Sequence, residues 1–220
     1  MENNITKVDL EETIGFWARN DFAIMNSLLV GNINNLWEIA EIAYKDNKGM
    51  LKEHEDGVRT LDEKSIESLQ SRIIEKLDDE TKAKILKTAK NDILNILNAM
   101  KPTKNKIMLY RTAWIPKTGN IHTYQYAYQY DSFRYNVNDI LEFKIISSTS
   151  ITPYREDAGR EFYRYEITVP KNGFVLELDQ FPSVRNEEGE VLLPPMKCKV
   201  KNIRNSDNEK CRGIIELEYI

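Results

Sequence analysis

Three groups of polar residues in the second half of the chain have side chains that suit catalysis. Tyr110-Arg111 ends an apolar segment, Ser148-Thr149-Ser150 lies within a second one, and Glu188-Gly189-Glu190 runs into an apolar third. An arginine guanidinium binds phosphate oxygens through paired hydrogen bonds. A fixed carboxylate stabilises positive charge as it develops in a reaction. These residue types are therefore candidates for binding an anionic group and for stabilising positive charge.

Each group by itself is common in proteins of other functions. An arginine after an aromatic strand residue is usually a surface or salt-bridging group. A Ser-Thr-Ser run is usually a polar strand face, because threonine suits strands. Two glutamates two positions apart in an acidic chain usually lie on a solvated strand edge. The information is in the order of the groups: Arg, then Ser-Thr-Ser, then Glu-x-Glu followed by Val-Leu-Leu-Pro-Pro.

This order resembles the Arg-Ser-Glu class of mono-ADP-ribosyltransferases, which includes binary actin-modifying toxins, Rho-modifying exoenzymes and vertebrate ecto-enzymes. Ala158-Gly159-Arg160, followed by Glu-Ile-Thr-Val-Pro-Lys at 166–171, is also similar to the family. The resemblance covers roughly residues 106–203. It implies an enzyme of the glycosyltransferase type that moves ADP-ribose from NAD to an arginine of a target protein, without a metal.

The resemblance also implies a role for each residue of the three groups. Arg111 would anchor the NAD phosphates, and Ser148 would hold Glu190 and contact the ribose. Thr149 and Ser150 would support the strand and the pocket wall. Glu190 would bond a hydroxyl of the nicotinamide ribose and stabilise the oxocarbenium-like cation, as a carboxylate does in glycosidases.

The first glutamate of the pair, Glu188, is expected to handle the acceptor. Residues two apart on an extended chain face the same way, so Glu188 is expected to reach the cleft of Glu190. Relatives that modify asparagine commonly carry Gln at this position. The glutamate here implies an arginine acceptor, whose guanidinium Glu188 would orient and help to deprotonate.

Two loops would complete the site by resemblance. Arg160 is similar to the family's basic residue for phosphate and nicotinamide, with Arg155 as a second candidate. Several relatives carry an aromatic three residues before that arginine. This chain has Asp157 there, so Tyr154 or Phe162 would provide the stacking face.

The segment 178–189 resembles the loop that recognises the protein acceptor. Phe181 is the candidate exposed aromatic of this loop, with packing inside the loop as the alternative interpretation. The resemblance implies a protein target, for which actin, a small GTPase and a bacterial protein are candidates. A delivery or immunity partner is a separate expectation.

Composition excludes several other classes of protein. The formal net charge of -4 gives no general attraction to nucleic acid or anionic membranes. Two cysteines and two histidines are too few and too scattered for a zinc site or a disulfide scaffold. Cys198 and Cys211 are expected to be reduced strand residues, with a disulfide between them as the less favoured alternative.

Hydrophobic periodicity changes near Pro102, and the fold class predicted is α+β, with N-terminal helices before a mixed or antiparallel two-sheet core. One transferase domain is expected over 1–220, helical over 1–101 and strand-rich over 102–220. Helices are predicted within 21–45, with a break at Gly31-Asn32, and over 61–77 and 79–100. Strands are predicted at 106–112, 141–151, 162–169, 174–178, 191–193, 196–203 and 214–220. The alternating tyrosines of 124–130 favour a strand, with a short helix as the alternative.

The N-terminus lacks the pattern of a secretory signal, and no stretch is apolar enough to span a membrane. A soluble protein is expected, delivered or secreted into the cytoplasm of a target cell, or otherwise cytoplasmic. Two other functions stay open on the sequence. One is an NAD glycohydrolase toxin without a protein acceptor, and the other is a catalytically silent binding module of the same fold.

Overall fold

The computed structural model describes residues 7–17, 22–29, 79–114, 135–153, 161–181 and 189–220. The chain divides into two compact units, Met1–Asn98 and Ala99–Ile220. The predicted break at Gly31-Asn32, the predicted helix at 61–77 and the tyrosine run at 124–130 all lie outside the described residues.

Helices make up the described part of the first unit: α1 at Lys7–Phe16, α2 at Phe22–Leu29 and α3 at Asp79–Ala99. The predicted helix at 79–100 therefore agrees with the structure to within one residue. Ala89, Ile93 and Ile96 recur every three or four residues on α3 and are all buried. The helix ends just before Lys101-Pro102, where the proline cannot continue the hydrogen-bond ladder.

A buried polar contact links α1 to α3. The Thr13 hydroxyl donates to Oδ1 of Asp92 at 3.0 Å and accepts from Nδ2 of Asn95 at 3.2 Å. Thr13 is only 2% exposed, so its hydroxyl needs these partners inside the protein. The contact fixes the rotation of the two helices about their axes.

Strands dominate the second unit, which confirms the α+β class. The nine described strands are β1 Lys101–Pro102, β2 Ile107–Trp114, β3 Ile140–Phe143, β4 Ser147–Ser150, β5 Phe162–Val169, β6 Phe174–Glu177, β7 Glu190–Leu193, β8 Met196–Arg204 and β9 Cys211–Tyr219. Their order in the sheet is β1-β6-β7-β4-β2-β5-β9-β8-β3. The pair β5–β9 is parallel and the other neighbours are antiparallel.

The junction between β2 and β4 is the narrowest in this sheet. Only Tyr110 and Ser150 pair across it, whereas β2 and β5 pair along their whole length and β4 and β7 pair over four residues. The predicted division into two sheets is not confirmed, because this junction joins all the described strands into one order. It still separates two well-paired ladders, β1-β6-β7-β4 and β2-β5-β9-β8-β3.

One predicted strand, 141–151, is divided in the structure. β3 ends at Phe143 and pairs with β8, and β4 begins at Ser147 and pairs with β7. Ile145 and Ile146 lie between them, and each is 1% exposed. These two connecting residues are apolar because they are buried, so no turn signal in the sequence marks the break.

A row of buried aliphatic side chains crosses four neighbouring strands and sets their register. Leu109 pairs with Ile167, Ile167 with Leu217, and Leu217 with Val200. None of the four is more than 1% exposed. A slip of one residue would turn such a row toward solvent, so burial specifies the register strongly. The same register fixes the position of Arg111, two residues after Leu109.

On an adjoining row, an arginine bridges two carboxylates on neighbouring strands. Glu166 and Glu216 pair directly between β5 and β9. Arg204 donates to both Glu166 oxygens at 2.6 and 2.7 Å and to Glu216 at 3.0 Å. The hydrogen bonds to Glu166 and then to Glu216 raise the pKa of Arg204. The bridge offsets the repulsion of two like charges placed opposite each other.

Both cysteines are free and buried. Cys198 belongs to the main core of the second unit, whereas Cys211 packs in a separate small cluster with Phe162 and Ile214. The expectation of reduced strand residues is confirmed, and the alternative of a disulfide between them is wrong. None of the helices within the described ranges is both long and apolar enough to cross a membrane.

Burial raises the pKa of the Cys198 thiol from its ordinary value of 9.0 to about 12. We expect it to be inert to thiol reagents in the native protein, since at pH 8 only about one thiol in ten thousand is ionised. Above pH 9 the Cys198 thiol ionises in the unfolded chain, whereas it stays protonated in the folded protein up to about pH 12. The free energy of unfolding should then fall with rising pH, by up to about 1.4 kcal/mol per pH unit from this group.

Urea unfolding at several pH values above 9, compared with Cys198→Ala, measures this contribution. The variant should have a shallower dependence of unfolding free energy on pH, whatever its absolute stability. Equal slopes for the two proteins would contradict the assignment.

Candidate active site

The Ser-Thr-Ser run and Glu190 meet where β4 pairs with β7. Ser150 lies opposite Glu190 and Ser148 lies opposite Leu192. Directly paired residues of an antiparallel ladder share a face, and alternate residues of one strand also share a face. Ser148, Ser150 and Glu190 therefore belong to one face of the ladder, and Thr149 to the other.

Two hydrogen bonds join the arginine, the serine and the glutamate that the sequence singles out. The Ser148 hydroxyl donates to Oε1 of Glu190 at 2.6 Å. Nη1 of Arg111 donates to the main-chain carbonyl of Ser148 at 2.8 Å. The second bond crosses the narrow junction between β2 and β4. A cation and an oriented carboxylate, both partly buried, are thereby held around one serine.

The other two residues of the Ser-Thr-Ser run have structural contacts. The Thr149 hydroxyl donates to the Val191 carbonyl at 2.6 Å and is buried between β4 and β7. The Ser150 hydroxyl accepts from the Thr152 amide at 3.2 Å, just after β4 ends. These contacts suit the expected supporting roles of the two residues. Their direct contact with a cofactor stays a prediction.

Gly189 has a backbone conformation that only glycine adopts readily. Its φ is +76°, in the left-handed region where a Cβ atom is strained. A Cβ here would also lie 2.5 Å from Cγ1 of Ile151. Its carbonyl accepts from the Ile151 amide at 3.0 Å, and its amide donates to Oδ1 of Asp179 at 3.1 Å.

The turn at Gly189 corrects one step of the sequence argument. Glu188 was expected to share a face with Glu190 because the two residues are two positions apart on an extended chain. The strand begins only at Glu190, and a φ of +76° at Gly189 is not extended. Strand alternation therefore does not determine where Glu188 points, and Glu188 itself lies outside the described residues.

Both aromatic candidates of the described chain are buried. Phe181 was expected to be exposed for acceptor recognition, but it is 4% exposed, so that expectation is wrong and the packing interpretation holds. Phe162 is 0% exposed on β5 and packs with Cys211 and Ile214, so it offers no open stacking face. Tyr154 lies outside the described residues.

Arg155 and Arg160 also lie outside the described residues, so their predicted contacts with NAD stay predictions. Within the described ranges, no three or more histidine, cysteine, aspartate or glutamate side chains cluster as metal ligands would.

Sequence reasoning missed two residues that contact the turn before Glu190. Asp179 is ten positions from Gly189 and Ile151 comes just after β4, and the resemblance assigns a role to neither of them. The one available signal was an aspartate between Leu178 and Phe181, since an acidic residue within an apolar turn commonly accepts a main-chain hydrogen bond.

No protein-family model and no curated protein matches the chain, but solved structures match its fold. The catalytic domain of VahC from Aeromonas hydrophila has a TM-score of 0.53 at 14% identity, covering 96% of this chain and 97% of that one. The Salmonella SpvB ATR domain has a TM-score of 0.52 at 15% identity, covering 96% and 98%. Plx2a, an ADP-ribosyltransferase toxin from Paenibacillus larvae, has a TM-score of 0.50 at 15% identity, covering 98% and 87%. The chain thus has the fold of bacterial ADP-ribosyltransferase toxins, which confirms the resemblance found in the sequence.

Replacement of Gly189 tests the geometry of the turn. We expect Gly189→Ala to lower the free energy of unfolding by about 1–3 kcal/mol, because a non-glycine residue at this φ is strained. The contact with Ile151 adds to that cost. Adding Ile151→Ala should recover part of the loss by removing the clash while leaving the φ strain.

Urea unfolding of the two single variants and the double variant measures both effects. Ile151→Ala alone should change stability little, since Ile151 is 54% exposed. A Gly189→Ala protein as stable as the wild type would contradict this geometry.

Proposed function

We propose that the protein is an NAD-dependent mono-ADP-ribosyltransferase that modifies an arginine side chain of a protein, acting as a toxin or effector. One observation carries the proposal: the Ser148 hydroxyl orients Glu190 at 2.6 Å while Arg111 binds the backbone of the same serine at 2.8 Å. The fold shared with Plx2a supports it. The whole chain is proposed as one transferase domain, helical over 1–101 and NAD-binding over 102–220.

The donor set fits NAD. A diphosphate needs a permanent cation with directional N–H groups, which a guanidinium provides. A ribose next to it needs hydrogen-bond acceptors for its hydroxyls, which a carboxylate provides. Arg111 and Glu190 both bind Ser148, so the cation for the diphosphate and the acceptor for the ribose hydroxyls lie close together. Arg160 and Arg155 are proposed as further phosphate ligands.

In the proposed reaction, the bond between nicotinamide and ribose C1 breaks, and its electron pair leaves with neutral nicotinamide. The ribose becomes an oxocarbenium-like cation. Glu190 stabilises this cation through the negative charge of its carboxylate and through a hydrogen bond that it accepts from a ribose hydroxyl. A guanidinium nitrogen of the acceptor then bonds to C1. One proton of that nitrogen passes to Glu188, so the product is a substituted guanidinium with a single positive charge.

Ser148 is proposed to act through Glu190. A carboxylate at the start of a strand has several rotamers, and fixing one of them lowers the cost of reaching the productive geometry. The hydrogen bond to Ser148 selects the rotamer in advance. Thr149 contributes indirectly, since its bond to the Val191 carbonyl joins β4 to β7 at the same place.

The acceptor is proposed to be a protein of a target cell: actin, a small GTPase or a bacterial protein. Delivery into that cell, with a delivery or immunity partner, is part of the same proposal. The test is mass spectrometry of lysate proteins after incubation with the enzyme and NAD, which reports both the target and the modified residue type.

Replacement of Glu190 tests the ribose-facing role. We expect Glu190→Gln to lower kcat for nicotinamide release about 100-fold or more, because the charge is lost while shape and the bond from Ser148 are kept. Nicotinamide release from NAD, followed by chromatography, is the measurement. Glu142→Gln, an exposed glutamate on β3, is the matched control and should leave the rate unchanged.

Full activity in Glu190→Gln would overturn the assignment of this residue. Titration calorimetry gives a second check on the wild type, because a silent binding module that binds no NAD would release no heat. That result would overturn the enzymatic proposal as a whole.

Replacement of Glu188 tests the acceptor role separately. We expect Glu188→Gln to lose transfer to arginine while keeping NAD hydrolysis, since only the acceptor step needs this carboxylate. Labelled NAD with a lysate reports transfer, and nicotinamide release reports hydrolysis. Exposed Glu209 provides the control, as Glu209→Gln should change neither.

An equal loss of transfer and hydrolysis in Glu188→Gln would contradict the division of roles. Nicotinamide release by the wild type with no labelled protein in any lysate would instead favour an NAD glycohydrolase.

A further inference from the structure

A short turn follows β6 and presents one exposed carboxylate. Residues Leu178–Gln180 form a single 3-10 turn. Leu178 and Phe181 anchor its two ends, with exposures of 0% and 4%. The Phe181 amide donates to the Leu178 carbonyl at 2.9 Å, and the Gln180 side chain donates to the Glu177 carbonyl at 2.7 Å. Asp179 lies between the anchors and is exposed.

The carboxylate of Asp179 binds the chain ten positions further on, immediately before the proposed catalytic glutamate. Its Oδ1 accepts the Gly189 amide at 3.1 Å. The Gly189 carbonyl accepts from the Ile151 amide at 3.0 Å. The N–H and the C=O of one buried glycine are therefore both held, one by a side chain from the turn and one by the end of β4.

Gly189 needs this support more than most residues would. Glycine has wide conformational freedom, so its φ of +76° is one of several accessible values in the absence of other contacts. The Gly189 amide donates to a carboxylate oxygen of Asp179, and this acceptor is available only when the amide points toward the turn. The bond selects the conformation from which β7 starts.

The position of Glu190 depends on that conformation. Glu190 is the first residue of β7, paired with Ser150, and its carboxylate must meet the Ser148 hydroxyl at 2.6 Å. A rotation at Gly189 would displace the first residue of the strand before it displaces any other. Displacements of about 1 Å at a reacting group reduce rates by about 100-fold.

We propose that Asp179 is a positioning residue for catalysis: it fixes the Gly189 peptide and thereby aims Glu190 at the ribose of NAD. The inference rests on the proposed function, and it concerns a residue outside the three groups that define the site. Asp179 acts here as a hydrogen-bond acceptor, and its charge is secondary.

Two variants distinguish the effect of the hydrogen-bond acceptor at Asp179 from the effect of its negative charge. Asp179→Ala removes both. Asp179→Asn keeps an oxygen that can accept the Gly189 amide and removes only the charge. Glu177→Ala is the matched control, because it removes an exposed carboxylate two residues away, whereas the Gly189 amide donates to Asp179.

The experiment measures kcat and KM for nicotinamide release with the full-length chain. We expect Asp179→Ala to lower kcat about 10- to 100-fold with KM for NAD changed less than about threefold, since the NAD ligands stay in place. Asp179→Asn should recover kcat to within about threefold of the wild type. Glu177→Ala should match the wild type in both constants.

The outcomes are distinct. Wild-type kcat in Asp179→Ala would overturn this inference and leave the proposed function standing. Equal loss of kcat in the Ala and Asn variants would also overturn it, because the charge and not the hydrogen bond would then matter. A wild type that releases no nicotinamide overturns the proposed function instead. Thermal unfolding of each variant guards against misfolding, and recovery in the Asn variant is the readout that a general loss of structure would not give.

Discussion

The hydrogen bond from Ser148 to Glu190 is the contact around which the candidate site is arranged. It requires β4 and β7 to pair in one register, with Ser148 diagonally across from the first residue of β7. It also requires the chain before β7 to enter from a fixed direction, which the turn at Gly189 sets. The Arg111 side chain on β2 binds the carbonyl of the same serine. The two hydrogen bonds of the site therefore join β2, β4 and β7.

The convergence explains which parts of the site the sequence could predict. Ser148, Glu190 and Arg111 were identified because their types and order resemble a known class, and the structure brings them together. Within β4 the backbone is extended, and strand alternation there does place Ser148 and Ser150 on one face. The same rule failed at Gly189, where a positive φ interrupts the alternation just before the strand. Local rules work inside regular elements and lose their validity at the turns between them.

Tertiary packing accounts for the other differences. Ile145 and Ile146 are apolar because the connection from β3 to β4 is buried. The segment 141–151 was therefore predicted as one strand. Phe181 was expected at the surface because the segment 178–189 resembles an acceptor-recognition loop, yet its side chain is buried at the end of a turn. Asp179 was missed because its partner is ten positions away, beyond any helix or strand period. Each of these differences depends on tertiary contacts, which the local pattern of the sequence does not reveal. The α+β class, by contrast, follows from the change in periodicity near Pro102.

The separation of the site residues along the chain has a consequence for the order of folding. Arg111 and Ser148 are 37 positions apart, and Ser148 and Glu190 are 42 apart. Closing such long loops costs entropy before any contact compensates for it, so non-local strand pairing forms slowly. A chain that refolds from the unfolded state would therefore form its helices first and the contacts of the candidate site last. The contacts of Arg111, Ser148 and Glu190 would then mark the final stage of folding, later than any spectroscopic signal from the helices.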